Sequence, residues 1–351
     1  MTPNSNTDEQ YIRRCFALAK KAGHKVYMNP LVGAVIVHNN RVIGEGYHKE
    51  FGGPHAEIEA LNSVKGKDRV FLKDSRMYVS LEPCNHHGKT PPCVEAIIHS
   101  GIQEVVISNI DPNPLMSGRS VELLQSAGVS VKTDVCEEEG VQVLRKFIIN
   151  KSKEIPYIVL KWAQSKDRYI GREGQQIWLS KQYSKFFVHK WREELDGIMV
   201  GTNTVLVDNP SLTNRREVGR SPARIILDRQ GKIPDTANVF ATKDRVIYLT
   251  QTERDFNHSS HIESYILADD EWDLHNQFQL LYKKGISSMM IEGGAQLLKS
   301  IIKAGLWHEA RIIQTKVTMG HGIKAPGLKG QIHREYDLFE DKILVINNLK
   351  I

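Results

Sequence analysis

His55-Ala56-Glu57 is followed along the chain by Pro83-Cys84 and then by Cys93. One histidine and two thiolates supply the three protein ligands that a catalytic zinc takes, leaving the fourth position open to water. Glu57 lies two residues past His55, too close along the chain to be an obvious further ligand but close enough to meet the activated water. Its expected role is to carry protons, taking one from that water and delivering protons to a ring nitrogen and a leaving amine. This is the chemistry of zinc deaminases with His-x-Glu and Pro-Cys patterns. Taken singly, a His-x-Glu or a pair of cysteines is as well explained by packing, and the usual cysteine spacing is the shorter Cys-x-x-Cys. The order, the proline before Cys84 and the surrounding helix-strand-helix pattern are what join them. Of the two histidines between the cysteines, His86 is expected to line the pocket and His87 is given no role.

The elements that must position these residues follow from hydrophobic spacing. Tyr11 to Ala22 is expected to be an amphipathic helix. Leu31 to Val37 is an apolar, β-branched run, Asn39-Asn40 a turn, and Arg41 to Tyr47 the returning strand. His55 to Val64 reads as a helix, so His55 sits near a helix start. Met77 to Leu81 is a strand leading to Cys84, and Cys93 opens a helix that ends at Gly101. A helix N-terminus carries partial positive charge and favours the metal-binding thiolate. Glu104 to Ile110, a helix from Ser120 to Ser126, and a strand from Val129 to Val135 complete an expected three-layer α/β domain. The polar stretch Asn150 to Pro156 is expected to hold the domain boundary, giving domains 1–150 and 151–351. The second half repeats strands (157–160, 197–200, 224–227, 245–249, 288–291) and helices (181–195, 296–304), so it is also α/β. Both sites are expected at the C-terminal ends of strands.

The chain has 351 residues and a formal charge of +6 from 47 basic and 41 acidic residues, suited to a phosphorylated small molecule. Nucleic acid usually needs a clustered basic, aromatic-rich face, and none is evident. No secretory leader and no apolar run of about 18 residues is seen, so the expectation is a cytoplasmic protein that engages no membrane. Cys15 and Cys136 are then expected to be buried thiols.

The longer pattern is more specific. Asn29-Pro30-Leu31-Val32-Gly33-Ala34-Val35-Ile36-Val37 precedes Pro54-His55-Ala56-Glu57. Leu81-Glu82-Pro83-Cys84-Asn85-His86-His87-Gly88-Lys89-Thr90-Pro91-Pro92-Cys93 follows, then Asp111-Pro112-Asn113-Pro114. This resembles the bifunctional riboflavin-biosynthesis deaminase-reductase family, RibD or RibG. The Gly-Lys-Thr-Pro-Pro loop sets that family apart from cytidine and transfer-RNA adenosine deaminases. The resemblance implies a cytidine-deaminase-like first domain acting on 2,5-diamino-6-ribosylamino-4(3H)-pyrimidinone 5′-phosphate. It implies that Asn29, His48, His86, Asp111 and Asn113 hold the pyrimidine and ribose, and that Lys89 meets the phosphate. It further implies a dihydrofolate-reductase-like second domain that reduces the ribosyl group with NADPH. The matching stretches are Leu160-Lys161-Trp162-Ala163-Gln164-Ser165, Trp178, Arg192, Val200-Gly201-Thr202-Asn203-Thr204, Asp208, Leu212-Thr213, Arg215 and Ile291-Glu292-Gly293-Gly294-Ala295. By this resemblance Gln164, Trp178, Thr204, Asp208, Gly294, Ala295 and Gln296 face NADPH. Lys161, Gln176, Arg192, Leu212, Arg215 and Glu292 face the second substrate. The two glycines have a physical reading of their own, backbone close to a ligand and then helix amides for phosphate, although taken alone they are as well explained as only a turn between strand and helix.

The chain departs from that pattern in the second half. Lys166-Asp167-Arg168 stands where Leu-Asp-Gly is usual, so that turn is expected to differ. Gln176 replaces a small polar residue, and Asp208-Asn209 replaces paired aspartates. An alternative is therefore a deaminase whose C-terminal half binds ligand or supports assembly without turnover. A nucleic-acid base deaminase and a purely structural zinc protein are weaker alternatives. A homo-oligomer is expected.

Overall fold

The computed structural model describes residues 5–86, 91–113, 116–214, 219–256 and 259–349. The chain divides between Glu154 and Ile155 into two compact units.

In the first unit, helix α1 (Ser5–Ala19) precedes strands β1 (Gly33–His38) and β2 (Arg41–Tyr47). Helix α2 (Ala56–Ser63), strand β3 (Arg76–Leu81), helix α3 (Cys93–Ser100), strand β4 (Glu104–Asn109), helix α4 (Arg119–Ser126), strand β5 (Ser130–Lys132) and helix α5 (Glu137–Lys153) follow. The sheet runs β2-β1-β3-β4-β5, antiparallel through β1 and parallel from β3 onward. Strand residues alternate between faces. Ala34, Ile36, Met77, Val79, Val105 and Ile107 pack with α2, α3, α4 and the Leu144 and Phe147 face of α5. Val35, Val37, Tyr78 and Val106 pack on α1 through Ile12, Cys15 and Phe16. This is the expected three-layer arrangement. Asn39 and Asn40 both have positive φ, as a tight hairpin turn between twisted strands demands.

Two elements differ from expectation. Helix α1 ends at Ala19, and a 3-10 segment broken at Gly23 (φ 57°) follows. The last strand is only Ser130–Lys132, at the sheet edge. The polar residues from Asn150 to Lys153 are the last turn of α5, and the division between the two units follows at Glu154. Glu137 to Glu139 at the start of α5 and Lys151 and Lys153 at its end suit the helix dipole.

The second unit opens with β6 (Tyr157–Gln164), β7 (Tyr169–Gly171), α6 (Gln182–Glu194), β8 (Gly197–Gly201), α7 (Thr202–Asp208), β9 (Ala223–Leu227), β10 (Val246–Thr250) and β11 (Ile262–Ile266). It continues with α8 (Leu274–Lys283), β12 (Ser288–Glu292), α9 (Ala295–Ala304), β13 (Glu309–Thr315), β14 (Ile323–Lys324), β15 (Gln331–Leu338) and β16 (Asp341–Asn347). Nine strands form one sheet in the order β11-β10-β9-β8-β12-β6-β13-β16-β15, and β14 pairs with β7. Pairing is parallel from β11 to β13 and antiparallel beyond. The central strands are buried on both faces, which explains their near-continuous apolar sequences. From β8 the chain winds outward through β9, β10 and β11, then returns to place β12 on the other side of β8. Such a reversal opens a crevice at the carboxyl ends of the strands.

Candidate active sites

In the first unit His55 is the N-cap residue of α2, and Cys93 is the first residue of α3. Cys84 lies just beyond β3. The Val94 N–H donates to the Cys84 carbonyl (3.2 Å) and the Cys93 N–H approaches Cys84 Sγ (3.4 Å), so the start of α3 gathers the two cysteines. His55 Nδ1 lies 3.4 Å from Cys84 Sγ and 3.3 Å from Cys93 Sγ. All three donor atoms fall within 4.8 Å of one another. Tetrahedral ligands at ordinary zinc–nitrogen and zinc–sulfur distances stand about 3.6 Å apart, so this donor set fits zinc. Bonds from Cys93 and His55 hold the Cys84 sulfur well below the ordinary thiol value.

Glu57, in the first turn of α2, is buried. Burial, aided by the negative charge at Cys84, pushes its carboxyl up to about 7. His48 has both ring nitrogens engaged. Its Nδ1 bonds the Pro54 carbonyl (3.0 Å) and its Nε2 meets Asn29 Nδ2 (3.0 Å). A carbonyl only accepts, so Nδ1 carries the hydrogen and Nε2 accepts from Asn29. Burial lowers the His48 pKa and favours this neutral form. The His48 ring stands edge-on to His55 at 5.5 Å, so His48 orients Asn29 beside the metal ligands. Asp111 accepts the Asn113 backbone N–H (2.8 Å), and burial raises its pKa. His86 is exposed. Lys89 and His87 lie outside the described residues.

In the second unit the crevice beside β8 is a cavity of about 920 Å³, within the usual range for ligand sites. Gly201 to Thr204, Leu227 to Arg229 and Gly294 to Leu297 line it from the ends of β8, β9 and β12. Of the residues expected at NADPH, Thr204, Asp208, Gly294, Ala295 and Gln296 lie on its wall. Trp178 and Gln164 do not. Trp178 is exposed with Lys185 over its ring, and the Gln164 side chain is buried, accepting from Trp162 Nε1 (2.9 Å). Gly293 (φ 124°) and Gly294 (φ 62°) adopt backbone that favours glycine, and a Cβ on Gly293 would come within 2.8 Å of the Thr204 side chain. This cradle at the start of α9 fits the diphosphate of a dinucleotide. Arg229 and Lys232 also line the cavity and have no counterpart in the sequence reading.

Arg192, Glu292 and Lys161 come together. Arg192 grips Glu292 through Nε and Nη2 (both 2.9 Å) and donates from Nη1 to the Thr213 carbonyl (3.0 Å). Lys161, register partner of Glu292 across β6 and β12, lies 3.6 Å from its carboxylate. Desolvation would raise the Glu292 carboxyl, but Arg192 and Lys161 prevail and hold it at about 2. Burial lowers the Lys161 pKa. Leu212 is buried with left-handed backbone (φ 55°). Gln176 Nε2 donates to the Asp208 carbonyl (3.1 Å), closing onto the end of α7. Arg215 lies outside the described residues.

The turn after Ser165 carries Lys166-Asp167-Arg168. Arg168 has φ 64°, the left-handed conformation natural to glycine, and Asp167 fixes the turn by accepting from Ser165 Oγ (2.6 Å) and the Met319 N–H (3.0 Å).

Residues 5–109 match the cytidine and deoxycytidylate deaminase zinc-binding region, and residues 156–342 match the RibD C-terminal domain. The riboflavin biosynthesis protein RibD of Aquifex aeolicus is 38% identical over 90% of this chain and 89% of its own length. The chain belongs to the RibD family. The RibD of Escherichia coli is 31% identical, with 92% of each chain covered. A Thermotoga maritima diaminohydroxyphosphoribosylaminopyrimidine deaminase/5-amino-6-(5-phosphoribosylamino)uracil reductase superposes with a TM-score of 0.87 at 34% identity, covering 98% of this chain and 99% of that one. RibD membership joins a zinc deaminase half to an NADPH-dependent reductase half in one riboflavin-biosynthesis enzyme. Among the described residues, no helix is long and apolar enough to cross a membrane.

Proposed function

We propose that this chain hydrolyses the ring amine of 2,5-diamino-6-ribosylamino-4(3H)-pyrimidinone 5′-phosphate and then reduces the product's ribosyl group to ribityl. The observation that carries this reading is the His55, Cys84 and Cys93 donor set with Glu57 buried beside it. Zinc held there supplies Lewis acidity that makes water nucleophilic near neutral pH. Glu57 takes the proton that water gives up and passes protons to the ring nitrogen and the leaving amine. Water and the C2 amine thus become a ring carbonyl and ammonia. Asn29, oriented by His48, holds the pyrimidine. His86, Asp111 and Asn113 face the ring and ribose, and Lys89 meets the phosphate as a point charge.

In the second unit NADPH, when bound, would supply a hydride for the sugar C1 of the ring-opened imine. Thr204, Asp208 and the backbone from Gly294 to Gln296 bind and orient that cofactor. Lys161, Arg192, Leu212, Arg215 and Glu292 hold the substrate, and Gln176 closes over the end of α7. Arg192 keeps donor capacity beyond Glu292 and Thr213 for a phosphate.

We place the enzyme in the cytoplasm as a homo-oligomer. Exposed aromatic residues support a partner surface: Tyr183 on α6 stacks on Phe339 at the β15–β16 turn (4.3 Å), with Phe186 nearby in sequence. The test supplies zinc-loaded protein with the diaminopyrimidinone ribotide and NADPH, following ammonia and NADPH together. Ammonia release with matching NADPH oxidation is expected. Ammonia without NADPH loss removes the reductase reading, and no ammonia removes the substrate.

A further inference from the structure

Glu82 stands two residues before Cys84, at the end of β3, and its side chain is buried with no ion pair to a basic group among the described residues. Instead its carboxylate collects backbone donors from the segment after β4. Oε2 accepts the N–H of Asp111 (3.0 Å) and of Gly118 (3.0 Å), and Oε1 accepts the N–H of Ser120 (3.0 Å). Its own N–H donates to the Asn109 carbonyl (2.8 Å). One side chain therefore ties down both ends of the turn that presents Asp111 and Asn113, and it also satisfies an amide in the first turn of α4. Within that turn Asp111 Oδ1 accepts the Asn113 N–H, and the Asn113 carbonyl accepts the N–H of Met116 and Ser117.

We infer that Glu82 is a positioning residue for the deaminase substrate: it holds Asp111 and the start of α4 against the same strand end that delivers Cys84. The inference rests on the reading that Asp111 and Asn113 hold substrate. A carboxylate suits the task because its two oxygens offer about four acceptor sites, and bonds from neutral N–H groups to a charged acceptor are roughly twice as strong as neutral pairs. An amide offers one acceptor oxygen and would turn N–H groups toward the other donors. Glu82→Gln should therefore loosen the turn while leaving His55, Cys84, Cys93 and Glu57 in place.

The experiment uses the full-length, zinc-loaded protein and compares Glu82→Gln, Asn113→Ala and the double variant. It reads kcat and KM for ammonia release from the ribotide, bound zinc, and amide hydrogen exchange. In the unaltered protein the amides of Asp111, Gly118 and Ser120 are expected to be protected. In Glu82→Gln those three should lose protection while α3 keeps its own. KM should rise about tenfold or more, with kcat changing less than about threefold and zinc still bound one per chain. Asn113→Ala should raise KM alone, yet add little to Glu82→Gln, because the loosened turn no longer presents it. Unchanged KM, additive effects, or kcat falling together with zinc would overturn the inference. Free exchange of the three amides in the unaltered protein would overturn it without any variant, even if Glu82→Gln does not fold. If the unaltered protein releases no ammonia although the amides are protected, the substrate reading fails, and Glu82 is left a purely structural bond.

Discussion

Arg192→Ala tests how the second unit holds its buried charges. Arg192 and Glu292 form a two-point ion pair, with Lys161 at 3.6 Å. The pair keeps the Glu292 carboxyl at about 2 against an ordinary 4.5. That displacement, at about 1.4 kcal/mol for each pH unit, corresponds to roughly 3 kcal/mol of folding stability at neutral pH. Loss of one partner from a buried pair typically costs about 3–5 kcal/mol, because the remaining charge is stranded. The two routes agree, so Arg192→Ala should cost this half about 3 kcal/mol at pH 7.

The sign in pH follows. Glu292 has a depressed folded pKa, so its contribution is complete above the unfolded value near 4.5 and is lost as pH falls toward about 2. Once Arg192 is gone, burial favours the protonated acid, and the penalty should shrink as pH falls below neutrality. Urea unfolding followed by tryptophan fluorescence is the assay, since all five tryptophans (162, 178, 191, 272 and 307) lie in the second unit. The signal therefore reports that half of the full chain. A penalty under about 1 kcal/mol at pH 7, or one of equal size at pH 7 and pH 4, would refute the reasoning. Arg192→Lys should fall between the two, because an ammonium keeps the charge but not the paired geometry.

Three further outcomes are expected. Glu57→Gln should lower ammonia release about 10²–10⁴-fold with zinc retained, checked by kinetics and metal content; equal activity would remove its proton-carrying role. Gly293→Ala places a Cβ 2.8 Å from the Thr204 side chain at φ 124°, so NADPH affinity measured by titration should fall at least tenfold while ammonia release is unchanged. Arg229 and Lys232 add cations to the cavity wall at the end of β9. Beside them, the Asp228 carboxylate is spent on Thr202 (3.0 Å), Tyr248 (2.6 Å) and the Ile233 N–H (2.8 Å), so it is committed inside the protein and not to a ribose hydroxyl. Replacing both Arg229 and Lys232 by alanine should weaken NADPH about tenfold and change NADH less than twofold; equal losses for the two would refute a contact with the extra phosphate.

The two sites were not equally legible in the sequence. His55, Cys84, Cys93 and Glu57 could be read because few other residue types do that chemistry, and the fold only had to bring α3 back onto the end of β3. Asn29 and His48 enter only through the family resemblance, which gives no bond between them, since that depends on which carbonyl meets the His48 ring. Glu82 left no such mark: its partners are backbone N–H groups 29 to 38 residues away, which any residue but proline provides. Arg229 and Lys232 look like a solvated turn until β9 is placed beside β8. Strand β15 is exposed at every position but its last, so it has no alternation to read. Side chains with distinctive chemistry specify the metal centre, whereas strand order specifies the cofactor cavity. The departures at Arg168 and Gln176 follow from that difference. The turn tolerates arginine because Asp167 fixes its backbone, and Gln176 is accommodated because it binds a carbonyl at the end of α7. A site built from strand ends and backbone can keep its shape while its side chains drift, so sequence departures there overstate the loss of function.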